Sequence, residues 1–488
     1  MSLAGLDLAI LAAYLVGVVA FGVYMGRGAS SAAHYMVGDR DVSWGVILFS
    51  IIATETSTVT FLSIPGFAFS RDLTWLQIPI GFLIGRGVVA LLLLPHYFRG
   101  ELFTSYEVLA RRFGGATQQL ASGLFILTRT LADGLRLFLT AIVVQEMTGF
   151  SLTASVIATG ATTLVYTYFG GMRAVLWTDL VQFVIYIGGA LIAFYVLLDR
   201  LPGGLSEMLA VGGAAGKLRV FDFGSSLAEP YTLWAGIFGG IFVSLGSHGV
   251  DQLMVQRYLC AKNLGDAKKA LVASGVLVAL QFTLFLLIGV ALYAFYQRFP
   301  PAQAFDRPDR VFAHFILHEM PPGVVGILLG AIFAAAMSTL SSSLNSCATT
   351  FTRDLYRPLA GVELDPVKEL RLTRWLTAIF GILQIGVGIA GQMLASSVVG
   401  AVLGIAAFTT GIVLGIFFLG IFLERTSQKA ALVAFAIGLA AMTAIFFATP
   451  LAWPWYALVG SAITFVVGGL ASQLWPAPPA GRQPSPQA

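Results

Sequence analysis

Hydroxyl, carboxylate and guanidinium groups recur in this chain among residues that are otherwise almost all apolar, and their spacing limits the chemistry open to them. From Pro322 to Ser346 the chain reads PGVVGILLGAIFAAAMSTLSSSLNS. It begins as an apolar helix and turns, without a helix breaker, into a run of small hydroxyl residues. On a helix Ala335, Ser338 and Thr339 stand at i, i+3 and i+4, and Ser338, Ser341, Ser342 and Asn345 continue that face. The face is a ladder of neutral oxygens. Without thiols or imidazoles, such oxygens suit a hard alkali cation better than zinc or copper. Small and hydroxyl residues also let membrane helices approach and hydrogen-bond across an interface, and the stretch alone is compatible with either use.

A second cluster, Thr54-Glu55-Thr56-Ser57-Thr58, followed by Thr60 and Pro65-Gly66, lies inside SWGVILFSIIATETSTVTFLSIPGFAF. A carboxylate at mid-membrane is expensive unless solvated, paired or protonated. Glu55 therefore marks a cavity or ion path, or else sits neutral in a helix hydrogen-bonded to its neighbours. Hydroxyl side chains can satisfy backbone groups freed by unwinding, and unwound carbonyls then become ligands. In YFGGMRAVLWTDLVQFVIYIGG, entered by a Gly-Gly turn, Asp179 and Gln182 share a face near the inner end. Asp179 either supplies the negative charge that neutral oxygens lack or pairs with Arg173.

Arg129, Asp133 and Arg136 are spaced for ion pairing within one helix, for structure or for orienting a solute. Trp75 and Gln77 begin another span, where they can meet a polar solute; Trp75 is equally suited to anchoring at the interface. Arg86, deeper in that span, calls for an acid or a carbonyl. Gly246 and Gly249 bracket Ser247-His248, ahead of Asp251-Gln252. A glycine costs about 1 kcal/mol in a helix interior, so this predicts a second broken helix. Paired interruptions in two halves point to an inverted-repeat transporter with its site at the midplane. Thr409-Thr410-Gly411 is positioned as a further flexible wall. Histidines are few inside the spans, which argues against a metal centre.

The elements that must hold these groups follow from composition. Of 488 residues, 57% are hydrophobic and 11% charged, with a mean hydropathy of +0.86, which excludes a soluble globule. A span needs roughly 20 apolar residues, and about thirteen such segments are predicted. They lie near 6–26, 43–69, 74–98, 118–145, 151–169, 173–198, 231–250, 266–296, 322–350, 373–393, 397–422, 430–448 and 454–474. The first reads as a retained helix, not a signal peptide. Most of the 28 Lys and Arg residues, among them Arg99, Arg111, Arg112, Lys268 and Arg353, fall in loops on one side. That bias predicts an outside N-terminus and a cytoplasmic C-terminus. It accounts for the net charge of +4 and argues against nucleic-acid binding. Cys260 and Cys347 give no disulfide framework. Residues 476–488, rich in proline and polar residues, are expected to form a disordered tail. No soluble enzyme module, metal-ligand cluster or spaced nucleophile and base is apparent, and no obligate protein partner is expected.

Four segments carry a family likeness: GGMRAVLWTDLVQ (Gly170 to Gln182), AAAMSTLSSSLNS (Ala334 to Ser346), ATETSTVTFLSIPG (Ala53 to Gly66) and VQRYL (Val255 to Leu259). With them the chain resembles the sodium:solute symporter family over roughly residues 6–474. The resemblance implies an all-α, LeuT-like fold in one transmembrane domain, residues 1–475. Two inverted five-helix repeats, about 43–198 and 231–422, would each open with a discontinuous helix. By the same resemblance the main sodium site falls on Ala53, Thr56, Ala335, Ser338 and Thr339, and a second site on Asp179, Ser338, Ser341 and Ser342. Ser57, Thr60, Trp75 and Ser244 fall where members line the solute pocket. Glu55 stands where proline carriers have aspartate, sialic acid carriers threonine and sugar carriers asparagine.

The expected function is sodium-coupled uptake of a small polar solute (a sugar, a sialic acid-like molecule or a carboxylate) across the inner membrane by alternating access. Sodium is co-transported, not a fixed cofactor. Glu55, Ser57, Thr60, Trp75, Gln77, Asp133, Ser244 and Thr410 are the candidate solute-binding residues. Glu55 and Asp133 would accept hydrogen bonds from solute hydroxyls, and Arg129 or Arg136 would hold a carboxylate. The rival readings are proton coupling through Glu55 and a channel or sensor on the same fold.

Overall fold

A bilayer offers backbone N–H and C=O groups no partner, so long apolar runs close their hydrogen bonds within themselves as helices. The computed structural model, which describes residues 3–28, 31–301 and 304–477, is helical throughout. Among the described residues the only β-pairing is two isolated bridges, Val42 with Ala261 and Thr426 with Pro476. The principal helices are α1 (Gly5–Met25), α2 (Trp44–Glu55), α3 (Thr58–Ser70), α4 (Gln77–Val88), α5 (Gly115–Thr148), α6 (Leu152–Arg200), α7 (Gly240–Gly249), α8 (Gln252–Leu259), α9 (Leu264–Arg298), α10 (Asp309–Glu319), α11 (Val324–Thr350), α12 (Pro366–Ala390), α13 (Ser396–Phe422), α14 (Gln428–Ala448) and α15 (Trp455–Leu474). Wider π turns at Val89–Leu93 and Ala235–Gly239 extend α4 and precede α7.

By length and composition, nine helices among the described residues are fit to cross a membrane, or ten if the bent pair α2 and α3 counts as one span. That is fewer than the thirteen segments expected, for three physical reasons. First, α6 counts once although it has 49 residues and a non-helical break at Gly171, with φ 57° and ψ −154°. At 1.5 Å per residue it is about 74 Å long, more than twice the hydrocarbon thickness. Second, α5 carries Arg129, Asp133 and Arg136 among its apolar residues. Third, α7 stops at Gly249 because the chain breaks there.

The serine-rich α11 is the central element: 83% of its apolar window is buried, against 17% for α1 at the periphery. It packs most extensively on α6, then on α1 and α5. Close approach depends on small residues; a Cβ on Gly26, just past α1, would lie 2.0 Å from the Gly170 Cα of α6. Asp7 of α1, buried, caps α11 by accepting hydrogen bonds from Gly323 N (2.7 Å) and Gly326 N (2.8 Å). A carboxylate is favourable there because the first N–H groups of a helix are unpaired and carry its positive dipole end. At the other terminus the first two residues of the expected disordered tail are bonded, Pro476 in a β-bridge with Thr426 and Ala477 N reaching Arg425 O at 2.7 Å; the rest of that tail, residues 478–488, lies outside the described residues.

Candidate ion and solute site

The break between α2 and α3 bends the chain by 60°. Thr56 is extended (φ −92°, ψ 107°), and Ser57 starts α3 by accepting a hydrogen bond from Thr60 N at 3.3 Å. Ending a helix strips its last carbonyls of their intrahelical partners. Hydroxyls of α11 meet those carbonyls. Ser338 Oγ lies 2.8 Å from Ala53 O and 3.2 Å from Ala335 O, and Thr339 Oγ1 donates to Thr54 O at 3.1 Å. Thr56 turns its side chain elsewhere, accepting from Gln281 Nε2 (2.6 Å) and Tyr186 (3.3 Å). Two helix carbonyls and a hydroxyl thus converge on one buried point, a donor set for a hard monovalent cation.

One turn further along α11 the chemistry is ionic. Asp179 Oδ2 accepts from Ser50 Oγ (2.5 Å), Thr54 Oγ1 (3.3 Å) and Arg257 Nη2 (3.1 Å), while its Oδ1 is buried without a partner among the described residues. Arg257 of α8 also donates to Ser50 Oγ at 2.9 Å and contacts Thr54 Oγ1 and Ser342 Oγ. Ser341 and Ser342 bond back to Ser338 O at 3.1 and 2.8 Å. Asp179 therefore pairs with Arg257 and not with Arg173, which faces Asp39 at 3.5 Å. Arg257 and Ser50 were missed as site residues. Their signals were the VQRYL segment and the i, i+4 spacing of Ser50 with Thr54, which puts both on the face of α2 turned to α6.

The second break, between α7 and α8, is pinned from outside. Tyr97 donates to Gly249 O, and Asp251 caps α8 through Leu253 N (2.9 Å) while pairing with Arg129. Glu55 ties the two broken helices together: its carboxylate bonds Arg86 Nη2 (2.7 Å to Oε2) and His248 Nε2 of α7. Arg86, fully buried, also donates to Ser274 (2.7 Å), and His248 Nδ1 meets Tyr258 OH at 2.8 Å. The acid that Arg86 required is Glu55.

The candidate solute residues divide among three cavities. Thr60 and Trp75 line one of about 450 Å³ with Ser63, Phe67, Arg71 and Tyr231. Ser57 and Asp133 line a pocket of about 20 Å³ with Arg136 and Thr339, room for roughly one water. Thr410 lines a third, of about 260 Å³, with Arg129, Arg136, Ser247 and Asp251. Three candidates are committed elsewhere. Gln77 is a strut, donating to Thr74 O and Tyr231 O and accepting from Asp222 N, so it holds the loop before α7 and is not turned to a solute. Ser244 donates to Phe82 O at a helix contact, and Glu55 is held by Arg86 and His248. Asp133 is 1% exposed and bound to Arg136 Nη1 at 2.5 Å, whereas Arg136 is 38% exposed. In this pair the acid points inward and the arginine faces the cavity. Thr409 and Thr410 bond to Ala406 O within an uninterrupted α13, so the expected flexible wall is a regular helix.

The profile of the sodium:solute symporter family matches residues 35–438. This chain belongs to that family. Sodium-coupled solute symport is accordingly its activity, and it is a multi-pass membrane protein. Similar proteins include the sodium/sialic acid symporter NanT of Aliivibrio fischeri, 31% identical over 95% of this chain and 92% of its own. The human sodium/iodide cotransporter is 29% identical over 89% of this chain and 68% of its own. A solved Na⁺-coupled sialic acid symporter, substrate-bound and outward-open, superposes with a TM-score of 0.90 at 27% identity, over 97% of this chain and 98% of its own. Mhp1, a nucleobase-cation-symport-1 family transporter, matches at TM-score 0.60 and 17% identity over 92% of this chain and 96% of its own, a likeness of fold.

Proposed function

We infer that this carrier takes up an organic anion of the sialic acid or carboxylate type, using sodium held first by Ala53 O, Thr56 O, Ala335 O, Ser338 Oγ and Thr339 Oγ1. The observation that carries the sodium assignment is the 2.8 Å approach of Ser338 Oγ to the orphaned Ala53 carbonyl, with Ala335 O beside it. An ion there joins α2 to α11 and fixes the geometry of the break, where Ser57 and Thr60 begin the solute path. Asp179, Ser338, Ser341 and Ser342 form the optional second ion position, which an ion takes only by displacing the Arg257 guanidinium from Asp179 and Ser342. Arg136, exposed toward two cavities while its acid is buried, favours a negatively charged solute over a neutral sugar. Glu55, engaged on both sides, has no free role as a proton carrier, which favours sodium over proton coupling.

In this reading the chain has about thirteen spans, with α6 crossing twice about Gly171. Two five-helix repeats open with the broken pairs α2/α3 and α7/α8, and the N-terminus lies outside. Alternating access then consists of rocking one set of helices against the other about the ion. Purified carrier in proteoliposomes, given an inward sodium gradient, should accumulate a labelled sialic acid or monocarboxylate against its own gradient. Equal accumulation with potassium in place of sodium would overturn the ion assignment; sodium-driven accumulation of neutral sugars alone would overturn the solute class.

A further inference from the structure

A groove of about 260 Å³ lies apart from the ion and solute path, where the last turns of α13 meet the short helix Glu107–Phe113 and the Leu94–Tyr97 turn that extends α4. It sits at the opposite end of the α4 span from Trp75. Its floor is apolar, formed by Leu93, Val108, Leu109 and Phe417, and its rim is basic, formed by His96, Arg99, Arg111 and Arg112. No carboxylate lines it among the described residues. Glu107, the acid nearest in sequence, is turned away onto Phe103 N (3.1 Å) and Thr104 N (3.3 Å).

The basic groups differ in how far the fold uses them. Arg112 is spent, donating to Gly420 O, Leu423 O, Glu424 O and Thr426 O and so capping α13. Arg111 donates to Arg99 O at 2.6 Å. The Arg99 side chain is exposed and makes no hydrogen bond or ion pair among the described residues. His96 Nδ1 is buried and unpartnered among the described residues, a condition that costs free energy unless a ligand atom meets it. On the elements that form the groove, Leu91 (76% exposed) and Phe422 (54% exposed) present apolar surface outward. In a membrane protein such surface faces lipid, which brings acyl chains to the two elements that form the groove.

We propose that this groove binds one anionic phospholipid, its phosphodiester held by Arg99, Arg111 and His96 and an acyl chain lying along the Leu93–Val108–Phe417 floor. The combination of a basic rim and an apolar floor is what separates such a ligand from a zwitterionic lipid and from a free phosphate. A zwitterion brings a cation to an all-basic rim; a free phosphate leaves the floor empty. Basic pockets between helices at the headgroup level select acidic lipids on these grounds. The occupant would bridge α4 to α13 at the inner leaflet.

The test uses the full-length carrier, delipidated in detergent, with thermal unfolding followed on titration with phosphatidylglycerol, phosphatidylcholine or soluble glycerol phosphate. Phosphatidylglycerol alone should raise the midpoint. Arg99→Glu, at a side chain the fold does not use, should weaken that effect by about tenfold in apparent affinity and leave the lipid-free midpoint unchanged, with Arg99→Lys restoring it. Val108→Trp, which fills the floor, should also abolish it. A shift of equal size in Arg99→Glu, or equal shifts from phosphatidylcholine or glycerol phosphate, would overturn the proposal. Because the readout is lipid binding without transport, its failure leaves the sodium and solute assignments intact.

Discussion

At the scale of single residues, the proposed function turns on carbonyls that a helix end leaves to side-chain partners and on charges that are paired. Ser338 contributes one hydroxyl to the Ala53 carbonyl, a net interaction of about 1 kcal/mol. Ser338→Ala should therefore raise the sodium concentration for half-maximal uptake by about fivefold to tenfold, with the protein still inserted and folded. Sodium titration of uptake in proteoliposomes measures this; an unaltered curve would remove Ser338 from the site. The pair of Glu55 with Arg86 makes an asymmetric prediction, because Arg86 is fully buried and Glu55 is 20% exposed. Glu55→Gln strands a buried guanidinium and should cost about 3 kcal/mol or more. Arg86→Met leaves an acid still bonded to His248 and partly open to water, and should cost less. Thermal unfolding of both single variants and of the double variant, whose loss should fall below the sum, checks the pairing.

At the scale of elements, glycine and hydroxyl residues decide where helices stop. Gly171 holds φ at 57°, and a Cβ there would lie 2.5 Å from Tyr35 O. Gly171→Ala combines backbone strain of about 1–3 kcal/mol with a collision against backbone. It should lower the unfolding midpoint clearly more than Gly188→Ala on the same helix, where nothing lies within 4 Å of the added carbon. Both helix breaks were readable beforehand, from Thr54–Thr58 and from Gly246–Gly249, because hydroxyl clusters and glycines act locally on the backbone. The uninterrupted course of α13 through Thr409-Thr410-Gly411 was not. Its threonines bond to the preceding turn at Ala406, within a continuous helix, where a flexible wall was expected.

At the scale of the whole molecule, coupling is a matter of charge moved across the membrane. Each elementary charge carried inward is worth about 2.3 kcal/mol per 100 mV. A monoanionic solute taken up with one sodium ion moves no net charge; uptake with two is electrogenic. With the second position occupied, transport should generate an inward current, and Asp179→Asn should abolish that current and bring the sodium Hill coefficient down to one. Electrical recording on reconstituted membranes reads the current, and thermal unfolding controls for stranding Arg257. A current unchanged by Asp179→Asn would place the second ion elsewhere.

The helical class, the two interruptions and the oxygen ladder on α11 were legible in the amino-acid order, because each depends on residues within a few turns of one another. Which charge meets which was not. Glu55 and Arg86 are 31 residues apart, Glu55 and His248 193, and Arg257 and Asp179 78. Such pairings depend on how packed helices are rotated about their axes, and local spacing does not specify that rotation. The tertiary structure alone therefore committed Gln77 and Glu55 to the scaffold and turned Arg136 toward the cavities beside Ser57 and Thr410.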